Sequence, residues 1–309
     1  MIHTSILERI GNTPLIRLGS IIPKNCANIL IKIESENPTG SMKDRMALSM
    51  IEAAEKDGRL KPRGRVVEYT GGSTGVSLAL ICAVKGYPLH IVTSDAFSLE
   101  KRNHMKALGA ELTIVPSKDG GMDEALTRNM IAAAGEISEK TGAYPTDQLN
   151  NADQIDAYHK MGQEIWNQTD GRIDAFVQST GTSASVRGTS EILHSHNPGV
   201  HCVAVEPAES AVLSGGPSGV HKIEGAGVGF IPPLWKREAV DNIMTVSTDE
   251  AMRTARELAR KEGIFAGTST GANVAASIRL GQKLGPEATI VTVMCDSGVK
   301  YLSTALYGG

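Results

Sequence analysis

Short apolar runs rich in β-branched residues alternate along the chain with longer amphipathic segments. Residues 65–69 (RVVEY) predict a strand, and beyond the loop TGGSTG the segment VSLALICAVKG predicts a helix that ends at Gly86. Further strands are predicted at HIVTS, ELTIVP, DAFVQS, HCVAVEP and ATIVTVMC, with the helix SLEKRNHMKALG between the first two. Because these strands are apolar almost throughout, they are typical of parallel sheets that helices cover on both faces.

The alternation loosens at residues 142–151 (GAYPTDQLNN). One series of strands and helices precedes this segment, and a second series comes after it. We therefore expect an α/β protein with two three-layer α/β/α domains, mostly parallel sheets and a cleft between the domains.

Composition excludes several classes of protein. The chain has 309 residues, 41% of them hydrophobic, and its formal net charge of −3 gives no basic surface for nucleic acid. No apolar run is long enough for a membrane helix, and the N-terminus lacks a signal peptide's apolar stretch. The four cysteines and eight histidines show no metal-ligand spacing, and the close pair His194 and His196 is typical of a solvated helix end. We expect a soluble, cytoplasmic protein in a reducing environment, without a metal site.

Four turn segments are unusually rich in Gly, Ser and Thr. They are NPTGSMK (37–43), YTGGSTG (69–75), STGTSAS (179–185) and FAGTSTGA (265–272). Small residues at the carboxyl end of a strand let backbone N–H groups approach a ligand, and a following helix N-terminus favours an anion. Each loop taken alone is equally explained as a tight turn with a helix cap, but four in one chain favour a ligand site. None matches a P-loop or a dinucleotide-binding motif.

Lys43 lies in the first turn of a helix predicted from MKDRMALSMIEAAEKDG, with Ser41 in the N-cap position. A cation there faces the positive end of the helix dipole, which is unfavourable. Lys43 is therefore either an indifferent surface group or a lysine whose amine is used. A phosphate for one loop, a carboxylate for another and an aldehyde for the amine are together supplied by pyridoxal phosphate (PLP) and an amino-acid substrate.

Several long motifs carry a family resemblance over nearly the whole chain. In order they are IGNTPLIRL, NPTGSMKDR, HKIEGAGVGFIP, EGIFAGTSTGANVAA and DSGVKYLST. The sequence resembles the cysteine synthase (O-acetylserine sulfhydrylase) family of fold-type II PLP enzymes, related to cystathionine β-synthase and serine/threonine dehydratases. The resemblance implies a fold like that of tryptophan synthase β, with the cofactor in the cleft. It also implies a mobile N-terminal domain of residues 1–12 and 36–147 and a C-terminal domain of residues 13–35 and 148–309.

The resemblance implies site residues as well. Lys43 would form the Schiff base with the cofactor and remove the Cα proton of the substrate. Ser297 would hydrogen-bond the pyridine nitrogen, and a hydroxyl there makes the cofactor a weaker electron sink than an acid does. Ser73 takes the place of an asparagine that contacts the cofactor's phenolic oxygen. The cofactor phosphate would bind Gly181, Thr182, Ser183, Ala184 and Ser185, and the substrate carboxylate would bind Thr70, Gly71, Gly72, Thr74 and Gln148.

The chain departs from the family in two of these loops. The family's carboxylate loop reads T-S-G-N-T-G, whereas this chain has Gly71 and Ser73 in place of the serine and the asparagine. Gly71 offers no hydroxyl beside the reacting Cβ, so we expect extra room there and an amino-acid donor different from or bulkier than O-acetylserine. In the phosphate loop, Ser183-Ala184-Ser185 replaces a more glycine-rich G-G-T.

The resemblance implies β-replacement on an O-activated serine or a related amino acid. The leaving group departs to give an aminoacrylate, and sulfide or another small nucleophile adds. β-Elimination, as in a serine/threonine dehydratase or a cysteine desulfhydrase, shares this intermediate and stays open. An alternative of another class is a non-catalytic binding partner of an acetyltransferase, against which the retained Lys43, Gln148 and Ser297 argue. A homodimer and a possible serine acetyltransferase partner are expected from the resemblance alone.

Overall fold

The computed structural model describes residues 2–118 and 124–308. In these residues the strands are β1 (Leu15–Arg17), β2 (Asn28–Ile33), β3 (Val66–Tyr69), β4 (Leu89–Ser94), β5 (Glu111–Val115), β6 (Tyr144–Pro145), β7 (Ala175–Ser179), β8 (His201–Pro207), β9 (Asn242–Val246) and β10 (Thr289–Met294). The α-helices are α1 (Lys43–Asp57), α2 (Ser73–Lys85), α3 (Leu99–Ala107), α4 (Glu124–Thr141), α5 (Asp153–Gln168), α6 (Ala184–His196), α7 (Thr248–Glu262) and α8 (Thr268–Leu284).

The strands form two sheets. One has six strands in the order β1-β2-β10-β7-β8-β9, and the other has four in the order β5-β4-β3-β6. Every pairing between these strands is parallel except that of β1 with β2. The mostly parallel α/β fold is therefore confirmed. Strands β1 and β2 precede the four-stranded sheet along the chain yet belong to the six-stranded one. The domain boundaries proposed from the sequence stay a prediction.

Helices cover both faces of the six-stranded sheet, as its apolar strands predicted. Along β7, Ala175 and Val177 belong to one core cluster, which also contains residues of α7 and α8. Phe176, which lies between them, belongs to a second cluster with residues of α5 and α6. Since successive side chains of a strand point to opposite faces, this alternation gives a three-layer arrangement of helices, sheet and helices.

Most predicted elements are confirmed; several boundaries differ by one or two residues, and one differs by three. Helix α2 ends before Gly86, which has a left-handed φ of 77°, as predicted. It begins at Ser73, three residues before the predicted start, so half of the TGGSTG loop belongs to the first turn of the helix. Gly, Ser and Thr are poor helix formers, and tertiary packing overrides that preference here.

None of the helices in the described ranges is long and apolar enough to cross a membrane.

Candidate active site

One cavity lies at the carboxyl ends of strands from both sheets, the place where α/β proteins bind ligands. Tyr69 at the end of β3 and Ser179 at the end of β7 contribute to its walls, as does Cys295, which is the residue after β10. Ten of the thirteen site residues expected from the sequence line this cavity: Lys43, Thr70, Gly71, Gly72, Ser73, Thr74, Gln148, Gly181, Thr182 and Ser185. The remaining three, Ser183, Ala184 and Ser297, do not.

Lys43 is the first residue of α1 and reaches the cavity from its N-terminus. The N-cap residue of α1 is Met42 and not Ser41 as predicted, but the Ser41 hydroxyl still accepts a hydrogen bond of 3.2 Å from the Lys43 amide. Burial lowers the pKa of the Lys43 ammonium, and the opposing electrostatic effects of neighbouring groups, Cys295 and Asp296 first, are smaller. A lowered pKa increases the fraction of neutral amine, which is the form that attacks an aldehyde.

The residues after Lys43 anchor the start of α1. The Asp44 carboxylate accepts hydrogen bonds from the amide of Thr39, at 2.8 Å, and from the Thr39 hydroxyl. Asp44 is fully buried, so these bonds fix the NPTG turn against the helix that it precedes.

Arg45 belongs to a buried ionic network. Its guanidinium lies 2.7 Å from a carboxylate oxygen of Glu34 and 2.7 Å from one of Glu164, and Lys32 also approaches Glu164 at 2.7 Å. Burial alone would raise the pKa of Glu164, but Arg45 and Lys32 lower it to about 2. The network ties α1 to β2 and α5, which fixes the position of Lys43 between the two sheets.

The carboxylate loop after β3 is held by hydrogen bonds of its own. The Thr70 hydroxyl accepts from the Gly72 amide at 3.1 Å. The Thr74 hydroxyl donates to the side-chain carbonyl of Gln148 at 2.8 Å, and the Gln148 amide group donates to the Tyr69 carbonyl at 2.9 Å. The structure thus brings Gln148 to this loop, as the sequence predicted, although it lies on a different segment.

Glu68 supports Gln148 from behind and was not predicted. Its carboxyl group accepts from the Gln148 amide nitrogen at 3.1 Å and from the Thr146 hydroxyl at 2.5 Å. Burial raises the pKa of Glu68 to about 8, so the group is protonated at neutral pH. No sequence signal distinguishes a buried acid in the middle of a strand such as VVEY from one on its solvent face.

The expected extra room at Gly71 is absent. A Cβ atom placed on Gly71 would clash with the ring of Phe97. Phe97, which precedes α3, lines the cavity at this point and occupies the space that a serine side chain needs. The prediction of a wider cavity beside the substrate is therefore wrong, because a residue from the next βα loop fills it.

The loop before α6 approaches other backbone closely. A Cβ atom on Gly181 would clash with the carbonyl oxygen of Gly225, so this position requires glycine. Ser183 has a left-handed φ of 74° and precedes the first residue of the helix. Its hydroxyl oxygen is buried and has no hydrogen-bond partner among the described residues. A helix N-terminus with an unpaired hydroxyl beside it is suited to an anion.

Ser297 does not line the cavity, whereas its neighbour Asp296 does. The Ser297 hydroxyl accepts from the amide of Val299 at 3.4 Å, at the start of a short 3-10 helix. The Asp296 carboxylate accepts from the hydroxyl of Ser73 at 2.9 Å and from that of Tyr301 at 2.8 Å. This placement argues against the predicted contact between Ser297 and the pyridine nitrogen.

Nothing in the sequence predicted the ion pair between Lys101 and Glu224 at the cavity wall. Lys101 of α3 is 3% exposed and lies 2.5 Å from Glu224. Its ammonium is 4.1 Å from the centre of the Tyr301 ring, and its side chain crosses Gly72, where a Cβ atom would lie 2.5 Å away. Glu224 belongs to the motif HKIEGAG, but only the fold brings it to α3.

The fourth Gly/Ser/Thr loop contributes less to the cavity than expected. Among its hydroxyl residues only Ser269 lines the wall. The hydroxyl of Thr268 accepts from the Glu224 amide at 3.0 Å, and that of Thr270 accepts from the Cys295 amide at 3.0 Å. The simpler interpretation, a turn whose hydroxyls stabilise neighbouring backbone, fits Thr268 and Thr270, whereas Ser269 lines the cavity.

Elsewhere, His194, Cys202 and Asp241 place possible metal-binding atoms within 4.8 Å of one another. Burial raises the pKa of the Cys202 thiol to about 12, which disfavours the thiolate that a metal binds. The Asp241 carboxylate already accepts from the Cys202 amide at 2.7 Å, and His194 contacts the Val200 carbonyl at 2.9 Å. Hydrogen bonding accounts for this cluster.

Comparison with known proteins identifies the family to which this cavity belongs. The profile of the family described as "Pyridoxal-phosphate dependent enzyme" matches residues 6–296. The chain belongs to this family of PLP-dependent enzymes.

Individual relatives resemble the chain over nearly its whole length. A cysteine synthase of Staphylococcus aureus (strain Mu50) is 40% identical over 305 residues, which are 98% of this chain and 96% of that protein. The structure of O-acetylserine sulfhydrylase isoform 3 from Entamoeba histolytica has a TM-score of 0.92 and 40% identity, and covers 100% of this chain and 92% of that one. O-ureido-L-serine synthase has a TM-score of 0.94 and 35% identity, covering 100% and 96%.

The residues of the cavity fit PLP. Lys43 offers an amine of lowered pKa at one wall, and the loop before α6 offers Gly181, Thr182 and Ser185 at another, with Gly181 packed closely against backbone. The first suits the aldehyde of the cofactor and the second suits its phosphate. The carboxylate loop at residues 70–74 remains available for the amino-acid substrate.

Proposed function

We propose that this PLP-dependent enzyme catalyses β-replacement on an O-activated serine, with sulfide or another small nucleophile as the second substrate. The observation that carries the proposal is the convergence of Lys43, the loop before α6 and the carboxylate loop on one cavity. The names of its relatives supply the reaction class, since cysteine synthase, O-acetylserine sulfhydrylase and O-ureido-L-serine synthase are all among them.

Each wall of the cavity has a proposed task. Lys43 holds the cofactor, and its amine then takes the proton from the substrate Cα and returns it at the end of the reaction. Gly181, Thr182, Ser183, Ala184 and Ser185 hold the phosphate, with Ala184 contributing its backbone. When bound, PLP withdraws electrons from Cα and so makes that proton removable.

The substrate carboxylate binds the loop of Thr70, Gly71, Gly72 and Thr74. Gln148 positions this loop through its bond with Thr74, and the protonated Glu68 holds Gln148 in turn. Phe97 beside Gly71 keeps the cavity narrow and apolar near the substrate, which helps to exclude water from the reacting atoms. O-acetylserine is therefore the first donor to test, ahead of bulkier amino acids.

The test is to incubate the PLP-loaded protein with O-acetylserine and sulfide and to measure cysteine, pyruvate and ammonia. β-Replacement predicts cysteine, with little pyruvate. Lys43→Ala should abolish turnover, whereas Lys56→Ala, an exposed lysine of the same helix, should leave it unchanged.

Other products would identify the alternatives. Pyruvate and ammonia without a thioether, whichever nucleophile is supplied, would establish β-elimination instead. A protein whose visible spectrum responds to no amino acid, although it binds PLP, would support the non-catalytic binding partner. O-ureidoserine and O-phosphoserine extend the donor series if O-acetylserine is inactive.

We also propose a homodimer, a cytoplasmic location and a possible serine acetyltransferase partner, all from the family resemblance. The four cysteines are buried and form no disulfide in the described part of the chain, which supports a reducing compartment. Sedimentation of the protein alone and with the acetyltransferase tests the dimer and the partner separately.

A further inference from the structure

The cavity has a third wall to which the proposed function gives no polar task. In that function the cofactor lies at Lys43 and the loop before α6, and the substrate carboxylate lies at residues 70–74. Because the nitrogen and the carboxylate of the substrate are held there, its β-substituent faces the remaining side of the cavity. This third wall is formed by Phe97, Leu149, residues of α3 and α4, and residues within the segment 218–229.

Part of the third wall is apolar and buried. Phe97, Met130 and Leu149 line the cavity and are 6%, 2% and 6% exposed. They belong to one core cluster, against which Val228 packs. A charged group placed against such side chains loses its hydration and gains no hydrogen bond in return. This part of the wall therefore disfavours an ionic β-substituent.

The charged residues of the third wall are paired. Lys101 is its only lysine or arginine among the described residues, and the Lys101 ammonium lies 2.5 Å from a carboxylate oxygen of Glu224. Burial lowers the pKa of His221, so the ring is uncharged at neutral pH. Glu124, a second acid of this wall, lies 2.5 Å from Arg128. Within the described residues, the wall thus offers no free cation to an anion.

Lys101 lies directly beside the carboxylate loop. Its side chain crosses Gly72, and its Nζ lies 3.3 Å from the place of a Cβ atom on Gly72. The Tyr301 ring contacts the same ammonium, with its centre 4.1 Å away. Because Lys101 is only 3% exposed, water screens its charge weakly. Glu224 is therefore the group that keeps an unscreened positive charge from acting on a bound amino acid.

We propose that Glu224 determines the charge specificity of the enzyme. By neutralising Lys101, it restricts the first substrate to amino acids whose β-substituent is uncharged. O-acetylserine meets this condition, whereas O-phosphoserine carries an anionic phosphate at the same position. That phosphate would lie against apolar side chains and the Glu224 carboxylate, while the nearest cation is already paired. The inference rests on the proposed function for the orientation of the substrate.

The experiment compares L-aspartate with L-asparagine, which have nearly the same shape and differ in the charge of the β-substituent. Neither carries a leaving group at Cβ, so titration of the PLP-loaded protein, followed by visible absorbance, measures binding without turnover. The wild-type protein should bind asparagine at least about tenfold more tightly than aspartate. Glu224→Gln frees the Lys101 ammonium and should abolish or reverse this preference.

Two further variants separate the pair from a general effect of charge. Lys101→Met removes the cation and should not improve the binding of aspartate. Glu100→Gln is the matched control, because it removes one negative charge from the residue next to Lys101. The Glu100 carboxylate accepts from the Ser303 hydroxyl and does not line the cavity, so the wild-type preference should persist.

Equal dissociation constants for the two amino acids in the wild-type protein would overturn the proposal, whether or not any variant folds. The wild-type preference in Glu224→Gln would overturn it as well, and a spectrum that responds to neither amino acid would overturn both this proposal and the proposed function. A preference for asparagine without formation of cysteine from O-acetylserine and sulfide would refute the proposed function alone. With turnover present, Glu224→Gln should raise the rate with O-phosphoserine, relative to O-acetylserine, at least about tenfold.

Discussion

Helices α1 and α6 both begin at the cavity after a loop of small residues, but their N-termini are arranged differently. At α1 the protein supplies its own partners: the Ser41 hydroxyl accepts from the Lys43 amide, and Arg45 is paired within a buried ionic network. At α6 there is no acidic residue in the first turn, and the Ser183 hydroxyl lacks a partner among the described residues. The N-terminus of α1 is therefore paired within the protein, whereas that of α6 is suited to an anion.

Similar sequences therefore serve different purposes at the two helices. NPTGSMK and STGTSAS have similar composition, yet the first positions a side chain and the second exposes backbone N–H groups. The difference comes from the residues beside each loop. Arg45 and Asp44 bind buried partners, while Ser183 is in a left-handed conformation that turns the backbone into the first turn of α6, where an anion is favoured.

The largest expected effect comes from breaking the network that anchors α1. Arg45→Met leaves the fully buried Glu34 without its guanidinium, so we expect the free energy of unfolding to fall by about 3–5 kcal/mol. Urea denaturation measures this change. Arg59→Met removes exposed ion pairs with Asp57 and Asp153 and should cost less than Arg45→Met, about 1 kcal/mol. Equal losses of unfolding free energy in Arg45→Met and Arg59→Met would mean that the buried network stabilises the protein no more than exposed ion pairs do.

Removal of PLP should loosen the first turn of α6 more than it loosens the first turn of α1. Saturation with PLP at about 100 times its dissociation constant should stabilise the protein by about 2.7 kcal/mol relative to the apoprotein. Hydrogen exchange should show faster exchange of the first-turn amides of α6 in the apoprotein, with little change for the amide of Asp44. A larger change at Asp44 than at α6 would contradict the difference between the two helices.

Ser183→Ala tests the unpaired hydroxyl alone, because alanine keeps the Cβ atom and so keeps the backbone strain. Loss of one hydrogen bond to a charged phosphate, about 1.5–3 kcal/mol, should weaken PLP binding at least tenfold. Equilibrium titration followed by absorbance measures the dissociation constant. Ser195→Ala, an exposed serine on the same helix, should not change it. Unchanged binding in Ser183→Ala would mean that backbone groups alone hold the phosphate.

The smallest effect concerns the charge of Lys43 in the apoprotein. The pKa of the Lys43 amine is lower in the folded than in the unfolded protein, so the charged amine destabilises the fold at neutral pH. The free energy of unfolding therefore rises as the pH increases through the folded pKa towards the ordinary value of 10.5. Lys43→Met should therefore stabilise the apoprotein at neutral pH, the helix dipole contributing about 0.3–1 kcal/mol of this effect. The gain should disappear above pH 10.5. Lys56→Met, at the other end of α1, should give no gain.

Local sequence signals were sufficient for most of the fold and for the position of Lys43 at the start of a helix. The alternating strands and helices and three of the four small-residue loops depend on neighbouring residues, and the structure contains them. Phe97 and Asp296 depend on contacts that local patterns do not encode. Phe97 reaches Gly71 from the following βα loop, and Asp296 pairs in an antiparallel bridge with Ser41, far earlier in the chain.

A similarly long separation in sequence, between β2 and β10, affects the synthesis of the protein. Strand β10 lies between β2 and β7 at the centre of the six-stranded sheet, although it is the last strand of the chain in the described residues. A ribosome therefore releases β1 and β2 long before the strand that joins them to the rest of the sheet exists. Until β10 emerges, the inner edge of β2 exposes unpaired backbone groups, and such edges favour aggregation. We expect the nascent chain to depend on chaperones until β10 is released, and PLP to bind only after that.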